Sequence, residues 1–240
     1  MKRLLYILCA SIVGTAFADN ENFDGLDKSG ADFSGASLKN SSWVGATVSD
    51  ATFTNADISG ATFDSTTGFT ANQLYSTKNY ATDNTLENLT LSNLGELGYL
   101  NLRDKKINSV KVIGNTYTGT NGIIFDNSTI RNSDFSHNTI RNTNANGSTW
   151  GLGFGNVDID GLNLSNSVVE STTTSDYNTS YGIYFANGSA KNVNLKGTTV
   201  KVTSSWNFAC GIYSETKLSD FDFSNINVDV KSYRDGGVYG

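Results

Sequence analysis

The sequence contains no proline in 240 residues, only two cysteines, and a single histidine and a single methionine. A chain of ordinary composition is about 5% proline, so roughly a dozen are missing. Disordered segments are usually rich in proline and charge, so this composition argues against disorder. It favours a fold whose strands are paired on both sides, where each proline would delete a ladder hydrogen bond. The cysteines, Cys9 and Cys210, cannot staple a small core, and Cys9 falls inside an N-terminal apolar run. Cys210 is then a lone thiol, expected to be buried and inert. One histidine, His137, expected in a turn, leaves no His or Cys/His set for a metal. GxSxG, HExxH and phosphate-loop motifs are also missing, so an enzyme is not expected and no cofactor is implied.

Basic residues are scarce as well. Lys2 and Arg3 precede an apolar stretch, Leu4 to Phe17, that ends in the small-x-small triplet Ala16-Phe17-Ala18. This order predicts an export signal over residues 1–18, with a mature chain from Asp19. The run is too short to span a bilayer comfortably, and no second one follows. The expected location is secreted, periplasmic or at the cell surface. Removing two cations takes 17 Lys+Arg against 23 Asp+Glu to 15 against 23, or −8. That charge opposes nucleic-acid binding, which needs clustered cations.

What the chain has is a period of five. From Glu21 its centres are Phe23, Lys28, Phe33, Leu38, Trp43, Val48, Phe53, Ile58 and Phe63, eight of the nine apolar. Two positions before a centre the residue is small, as in Ala31, Ala36, Ser41, Ala46, Ala51, Ala56 and Ala61. Two positions after it stands a turn former, as in Gly25, Gly30, Gly35, Asn40, Gly45, Asp50, Asn55 and Gly60. Neither a helix nor a plain strand has this period. A square coil does, with one side and one corner per five residues. The centre points inward, and Gly, Asn or Asp takes the turn angles. Four sides make a coil of about 20 residues, and coils stack at about 4.8 Å.

The segments ADFSG, ASLKN, ATVSD, ATFTN, ADISG and ATFDS resemble the pentapeptide-repeat family pattern A-[DN]-L-x-x. The resemblance implies an all-β, right-handed parallel β-helix, a quadrilateral solenoid. Some cytoplasmic members mimic DNA and inhibit topoisomerases, a role the predicted export signal disfavours. The segment GFTANQLYSTKNY resembles an insert found between repeat runs in bacterial members. Thr70 and Gln73 there form a capping-box pattern, which predicts a short helix near 70–76.

The fives return in longer rows. Leu97, Leu102, Ile107 and Val112 read as one row; Phe125, Ile130, Phe135 and Ile140 as the next. Phe154, Ile159, Leu164 and Val169 follow, then Phe185, Ala190, Leu195 and Val200, then Ser214, Leu218, Phe223 and Val228. Row starts lie 28, 29, 31 and 29 residues apart, so each coil carries an excursion of roughly ten residues. Phe125, Phe154 and Phe185 are expected to stack in the interior, and Asn127, Asn156 and Asn187 to form a corner ladder. Such rows are similar to longer-coil parallel β-helices. The expected organisation is thus signal 1–18, repeat coils 19–66, insert 67–85 and loop-bearing coils 86–240. Gly237-Val238-Tyr239-Gly240 reads as the opening of another coil with no cap, which invites a covering partner or end-to-end self-association.

The excursions carry aromatics, so Tyr117, Trp150, Tyr181, Trp206 and Tyr233 are candidate glycan contacts. Asp158/Asp160 and Asp220/Asp222 fall on different sides of the coil and do not form a carboxylate cluster. Arg131 and Lys191 share a column with Asp160, and Arg141 and Lys201 one with Glu170, which predicts cross-coil ion pairs. Outward threonines are too irregular for an ice-binding face. The leading functional expectation is a non-enzymatic secreted or envelope-associated scaffold or binding surface, with a protein or glycan partner. The alternative is a carbohydrate-binding or carbohydrate-cleaving β-helix using the aromatic edge.

Overall fold

In the N-terminal coils every fifth residue takes a left-handed backbone. Asn20, Gly25, Gly30, Gly35, Asn40, Gly45, Asp50, Asn55, Gly60 and Ser65 all have φ between 54° and 72°. Gly, Asn and Asp tolerate this conformation, which is why the corner positions hold them. Each side between corners is so short that it contributes one bridge, such as Asn22↔Ser42, Asp32↔Thr52 and Ser42↔Thr62, all parallel.

The computed structural model describes residues 19–120, 122–174, 178–205, 208–233 and 238–239. The predicted signal segment, residues 1–18, lies outside them. The chain winds as one all-β parallel solenoid. One side can be followed through nine layers by register: Asn22, Ser42, Thr62, Thr90, Lys111, Asp134, Asn163, Asn194 and Asp222. Successive partners in that series are 20, 20, 28, 21, 23, 29, 31 and 28 residues apart. In the longer coils the sides become real strands, Thr129–Asp134 and Thr139–Asn144, then Thr149–Asn163 and Ser180–Asn194. These assemble a 13-stranded sheet, here the front sheet, and a six-stranded back sheet holding Thr139–Asn144, Val168–Thr173, Thr199–Ser204 and Asn227–Ser232.

One apolar core runs the length of the tube, from Phe23 to Ala209. Phe23, Trp43 and Phe63 stack at centroid spacings of 3.9 and 5.5 Å, and Phe125, Phe154 and Phe185 at 4.9 and 4.9 Å. The second spacing is that of neighbouring strands, so identical residues in successive coils fall into offset stacks. Fully burying each ring contributes about 1.5–3 kcal/mol. Among the nine N-terminal centres the polar one, Lys28, stands in the first layer, where its ammonium lies 5.6 Å over the Phe23 ring.

The insert has two helices, α1 (Ala71–Ser76) and α2 (Lys78–Ala81). The capping box between Thr70 and Gln73 is formed. The Gln73 amide also donates to Val48 O and Ala51 O at 2.9 Å each, which anchors the helix to the preceding coil. The tyrosines of the insert hold the next coil. Tyr80 Oη donates to Asn101 O at 2.9 Å, and Asn101 N donates to Tyr75 Oη at 2.7 Å. Among the described residues strand Leu100–Asn101 pairs with Ile123–Ile124 above it and no strand below, so these hydroxyls satisfy its other edge.

The register corrects one row. Ile107 pairs with Ile130, Lys111 with Asp134 and Tyr117 with Ile140. The coil below Phe125–Ile140 is therefore Leu102, Ile107, Val112 and Tyr117, not one beginning at Leu97. Leu97 sits a layer lower, in a bulge between Glu96 and Gly98 opposite Tyr117. A run of fives fixes spacing but not phase, and the bulge absorbs the extra residue.

Candidate functional site: an aromatic face with a glycine notch

Register aligns the front-sheet residues in columns, and alternation slips one step at Gly151-Leu152, both buried, so Trp150 and Gly153 both face outward while Cys210 at the end of one column is covered. One column is Asn101, Ile124, Gly153, Tyr184 and Tyr213. The neighbouring column toward the excursions is Trp150, Tyr181 and Cys210. On the other flank Arg103, Asp126, Gly155 and Ala186 follow one another. Tyr184 and Tyr213 stack at 5.6 Å with 14° between planes, and Tyr181 contacts both along with Phe208. Burial among these rings raises the Tyr181 and Tyr184 hydroxyls above the ordinary tyrosine range, and Glu215 adds to both.

Gly153 and Gly155 leave a notch in this face. Its walls are Trp150, Tyr184 and Ile124, with the Arg103–Asp126 pair (2.8 Å) at the rim. The cleft holds about 390 Å³, within the ordinary range for small-molecule sites. Asn142 lines it from the back sheet and is 2% exposed. Its amide nitrogen donates to Trp150 O at 2.5 Å and Gly151 O at 3.0 Å, while its Oδ1 is buried with no partner.

The sequence-predicted contacts divide. Trp150 and Tyr181 come together on the front sheet, with Trp150 36% exposed. Tyr233 is 71% exposed and stands apart, just past the last back-sheet strand. Trp206 lies outside the described residues. Tyr117 is no surface aromatic: it is the fourth inward centre of its coil and fully buried. Burial pushes the pKa of its hydroxyl far up, against a smaller lowering from Asn115. Among the described residues, Tyr117 and Tyr233 therefore do not join Trp150 and Tyr181 in one row. Tyr184 and Tyr213 escape a search confined to excursions, yet the alternation in Gly182-Ile-Tyr-Phe185 and Gly211-Ile-Tyr-Ser214 already turns them outward.

Asn127, Asn156 and Asn187 are exposed corner residues with φ of 57°, 54° and 50°. Asn156 Nδ2 donates to Asn127 Oδ1 at 3.1 Å, and Asn127 Nδ2 to Asp104 Oδ1 at 3.1 Å. A second, buried ladder runs along another corner. Asn115 N donates to Asn138 Oδ1 at 2.9 Å, Asn138 N to Ser167 Oγ at 3.2 Å, and Thr198 Oγ1 to Leu164 O at 2.8 Å.

The outward carboxylates Asp158, Asp160 and Glu170 are engaged. Arg131 bonds Asp158 at 2.5 Å rather than Asp160, which takes Lys191 at 2.9 Å. Glu170 sits between Arg141 (2.8 Å) and Lys201 (3.1 Å). Among the described residues no group of three His, Cys, Asp or Glu could hold a metal ion, and no helix is long and apolar enough to cross a membrane. Cys210 is buried, and burial raises its thiol.

Comparison with known proteins adds the following. Residues 31–67 match the family model for pentapeptide repeats, in eight copies. No curated protein matches the chain. Among solved structures it is similar to HetL, a pentapeptide repeat protein involved in heterocyst differentiation regulation from the cyanobacterium Nostoc sp. strain PCC 7120. That likeness has 10% identity and a TM-score of 0.40, covering 89% of this chain and 90% of that one. Full-length QnrB1, a plasmid-mediated fluoroquinolone resistance protein, is similar at 13% identity and a TM-score of 0.24, covering 88% and 94%. The chain is an all-β parallel solenoid that carries a run of pentapeptide repeats over residues 31–67.

Proposed function

We propose that this chain is an exported, non-enzymatic repeat scaffold whose front sheet is a binding surface. The observation that carries the reading is the cluster Trp150, Tyr181, Tyr184 and Tyr213. These rings point outward in adjacent columns on rigid strands, and Trp150 and Tyr184 wall an open notch. Exposed apolar patches of this kind mark interaction sites. Packing against neighbouring coils holds the rings in place before any partner arrives, which lowers the entropy lost on binding. The export half rests on the pattern in residues 1–18. The non-enzymatic half is supported by the pairing of Asp126, Asp158, Asp160 and Glu170 with cations, since glycoside hydrolysis needs two carboxylates free to work together.

Three measurements test this. Residues 1–18 fused to a reporter active only outside the cytoplasm should yield activity. The purified mature chain should be retained on the source organism's envelope fraction. A Trp150→Ala, Tyr184→Ala, Tyr213→Ala triple variant with unchanged circular dichroism should lose at least tenfold in retention. A silent reporter overturns export, and unchanged retention overturns the surface. New reducing ends released from envelope polysaccharide overturn the non-enzymatic reading.

A further inference from the structure

Gly151 and Gly153 stand two residues apart on one strand, yet only the first is required by the fold. A Cβ on Gly151 would lie 2.3 Å from Val169 Cγ1 and 2.5 Å from Gly182 O, because the two sheets close on each other there. A Cβ on Gly153 would meet nothing nearer than Trp150 Cβ at 3.9 Å, and its φ is not left-handed. Glycine in a strand interior weakens the strand and gives no contact, and it often marks a bulge, a bend or close approach by a ligand or another backbone. Here the approach is from outside, since Gly153 floors the cleft between Trp150 and Tyr184. Its neighbours in the column, Ile124 below and Tyr184 above, both project.

We propose that this notch is a subsite for one neutral hexopyranose unit of a glycan chain. The inference rests on the front sheet being a binding surface and names what that surface takes. The flat walls suit the C–H face of a sugar ring. The polar groups are few and placed at the margin, as in small-ligand sites generally. They supply both hydrogen-bonding senses: Arg103 donates and Asp126 accepts at the rim. The Asn142 Oδ1 atom is a buried acceptor that the protein leaves unpaired, although buried polar atoms are rarely left so. That atom faces Gly122 between the sheets, so Asn142 serves the notch through its amide, which holds the Trp150 and Gly151 carbonyls of the cleft strand. Arg103 and Asp126 neutralise each other at 2.8 Å, so the rim selects no charge and favours an uncharged sugar. A purely apolar partner, such as a protein leucine, would desolvate the Arg103–Asp126 pair without offering it a hydrogen bond.

The test is calorimetric titration of the mature chain with tetrasaccharides of β-1,4-linked glucose and of β-1,4-linked N-acetylglucosamine, with oligogalacturonate as the acidic comparison. At least one neutral probe should bind, with exchange of free for bound protein visible in tryptophan fluorescence. Gly153→Leu, which fills the notch, should weaken that binding at least tenfold. Gly153→Ser gives a smaller filling if the larger residue disturbs the fold, and should weaken it severalfold. Binding unchanged in both Gly153 variants, preference for oligogalacturonate, or no binding of either neutral probe overturns the proposal. If neutral probes fail while envelope retention still depends on Trp150, Tyr184 and Tyr213, the sugar subsite falls and the binding surface stands. If retention is also independent of those rings, both fall.

Discussion

The N-terminal coils and the C-terminal coils solve the same problem with different amounts of chain. Between Asn22 and Thr62 a turn takes 20 residues, each side gives a single bridge, and nearly every outward residue is polar and small. Between Asp134 and Asp222 a turn takes 28 to 31 residues, and strands of up to 15 residues run on through the corners at Asn156 and Asn187. Both stack aromatic rings inside. The difference lies in what the extra residues do. They lengthen two sides into facing sheets that close at Gly151, Gly182 and Gly211, and they open an outward face wide enough for adjacent columns of rings. A minimal square holds its core together and has little surface left for recognition. Only the enlarged coils carry a candidate site.

Repeat arrays gain stability from nearest-neighbour contacts, so damage should stay near its layer. Trp43→Ala removes a fully buried ring stacked between Phe23 and Phe63. It should cost about 3–5 kcal/mol, seen as lost amide protection across the N-terminal coils with residues beyond 129 still protected. Phe154→Ala should cost a similar amount and show the reverse pattern. Uniform loss of protection along the whole chain in either variant would mean that the two regions fold as one unit, and the contrast drawn above would fail.

The next effect separates two glycine columns. A Cβ on Gly182 would lie 2.2 Å from Val200 Cγ1 and 2.4 Å from Gly211 O. Gly182→Ala should therefore destabilise by about 1–3 kcal/mol through overpacking. Gly153→Ala has room, and relieving a strand glycine should stabilise by about 0.5–1 kcal/mol. Denaturant midpoints of the two variants should move in opposite directions. If both fall, Gly153 has a packing role, and its place in the notch needs no ligand to explain it.

Much of this was readable from the sequence, for a physical reason. A five-residue period with a turn former at a fixed offset has few solutions, so the tube, the insert helix and the inward centres follow from residues such as Trp43, Thr70 and Phe154. Phase was harder. Leu97 and Leu102 are equally good starts, and only the bulge at Glu96 and Gly98 decides between them. That one step moved Tyr117 from an excursion to the core. The buried ladder was half visible. Asn115, Asn138, Ser167 and Thr198 all stand two residues before a centre, where small residues were expected. Their hydrogen bonds depend on which corner each occupies. The notch could not be seen, because it joins Arg103, Asn142 and Trp150 from three successive coils, and strand pairing rather than spacing sets which side chains meet.

The smallest expected effect is electrostatic, and it too divides the regions. N-terminal carboxylates are held by hydroxyls and backbone amides. Ser34 and Thr52 hydroxyls and the Ser34 amide hold Asp32 down to about 2 from 3.8. Glu170 is raised by burial, but hydrogen bonds and charge from Lys201 and Arg141 outweigh this and leave it lowered. In both cases the folded value lies below the unfolded one. The stabilisation is therefore present above the unfolded value, near 3.8 for Asp32 and 4.5 for Glu170, and is lost as pH falls through the folded one. Salt should distinguish them. The Glu170 pairs are partly exposed and worth less than about 1 kcal/mol, and ions screen them. Neutral donors to Asp32 are not screened in that way. At neutral pH, Glu170→Gln should lower the melting temperature slightly in dilute buffer and not at all in molar salt. The loss from Asp32→Ala should be the same in both. A salt-dependent Asp32 effect would show that its stabilisation comes from distant cations rather than from the hydroxyls and amides of its own coil and the next.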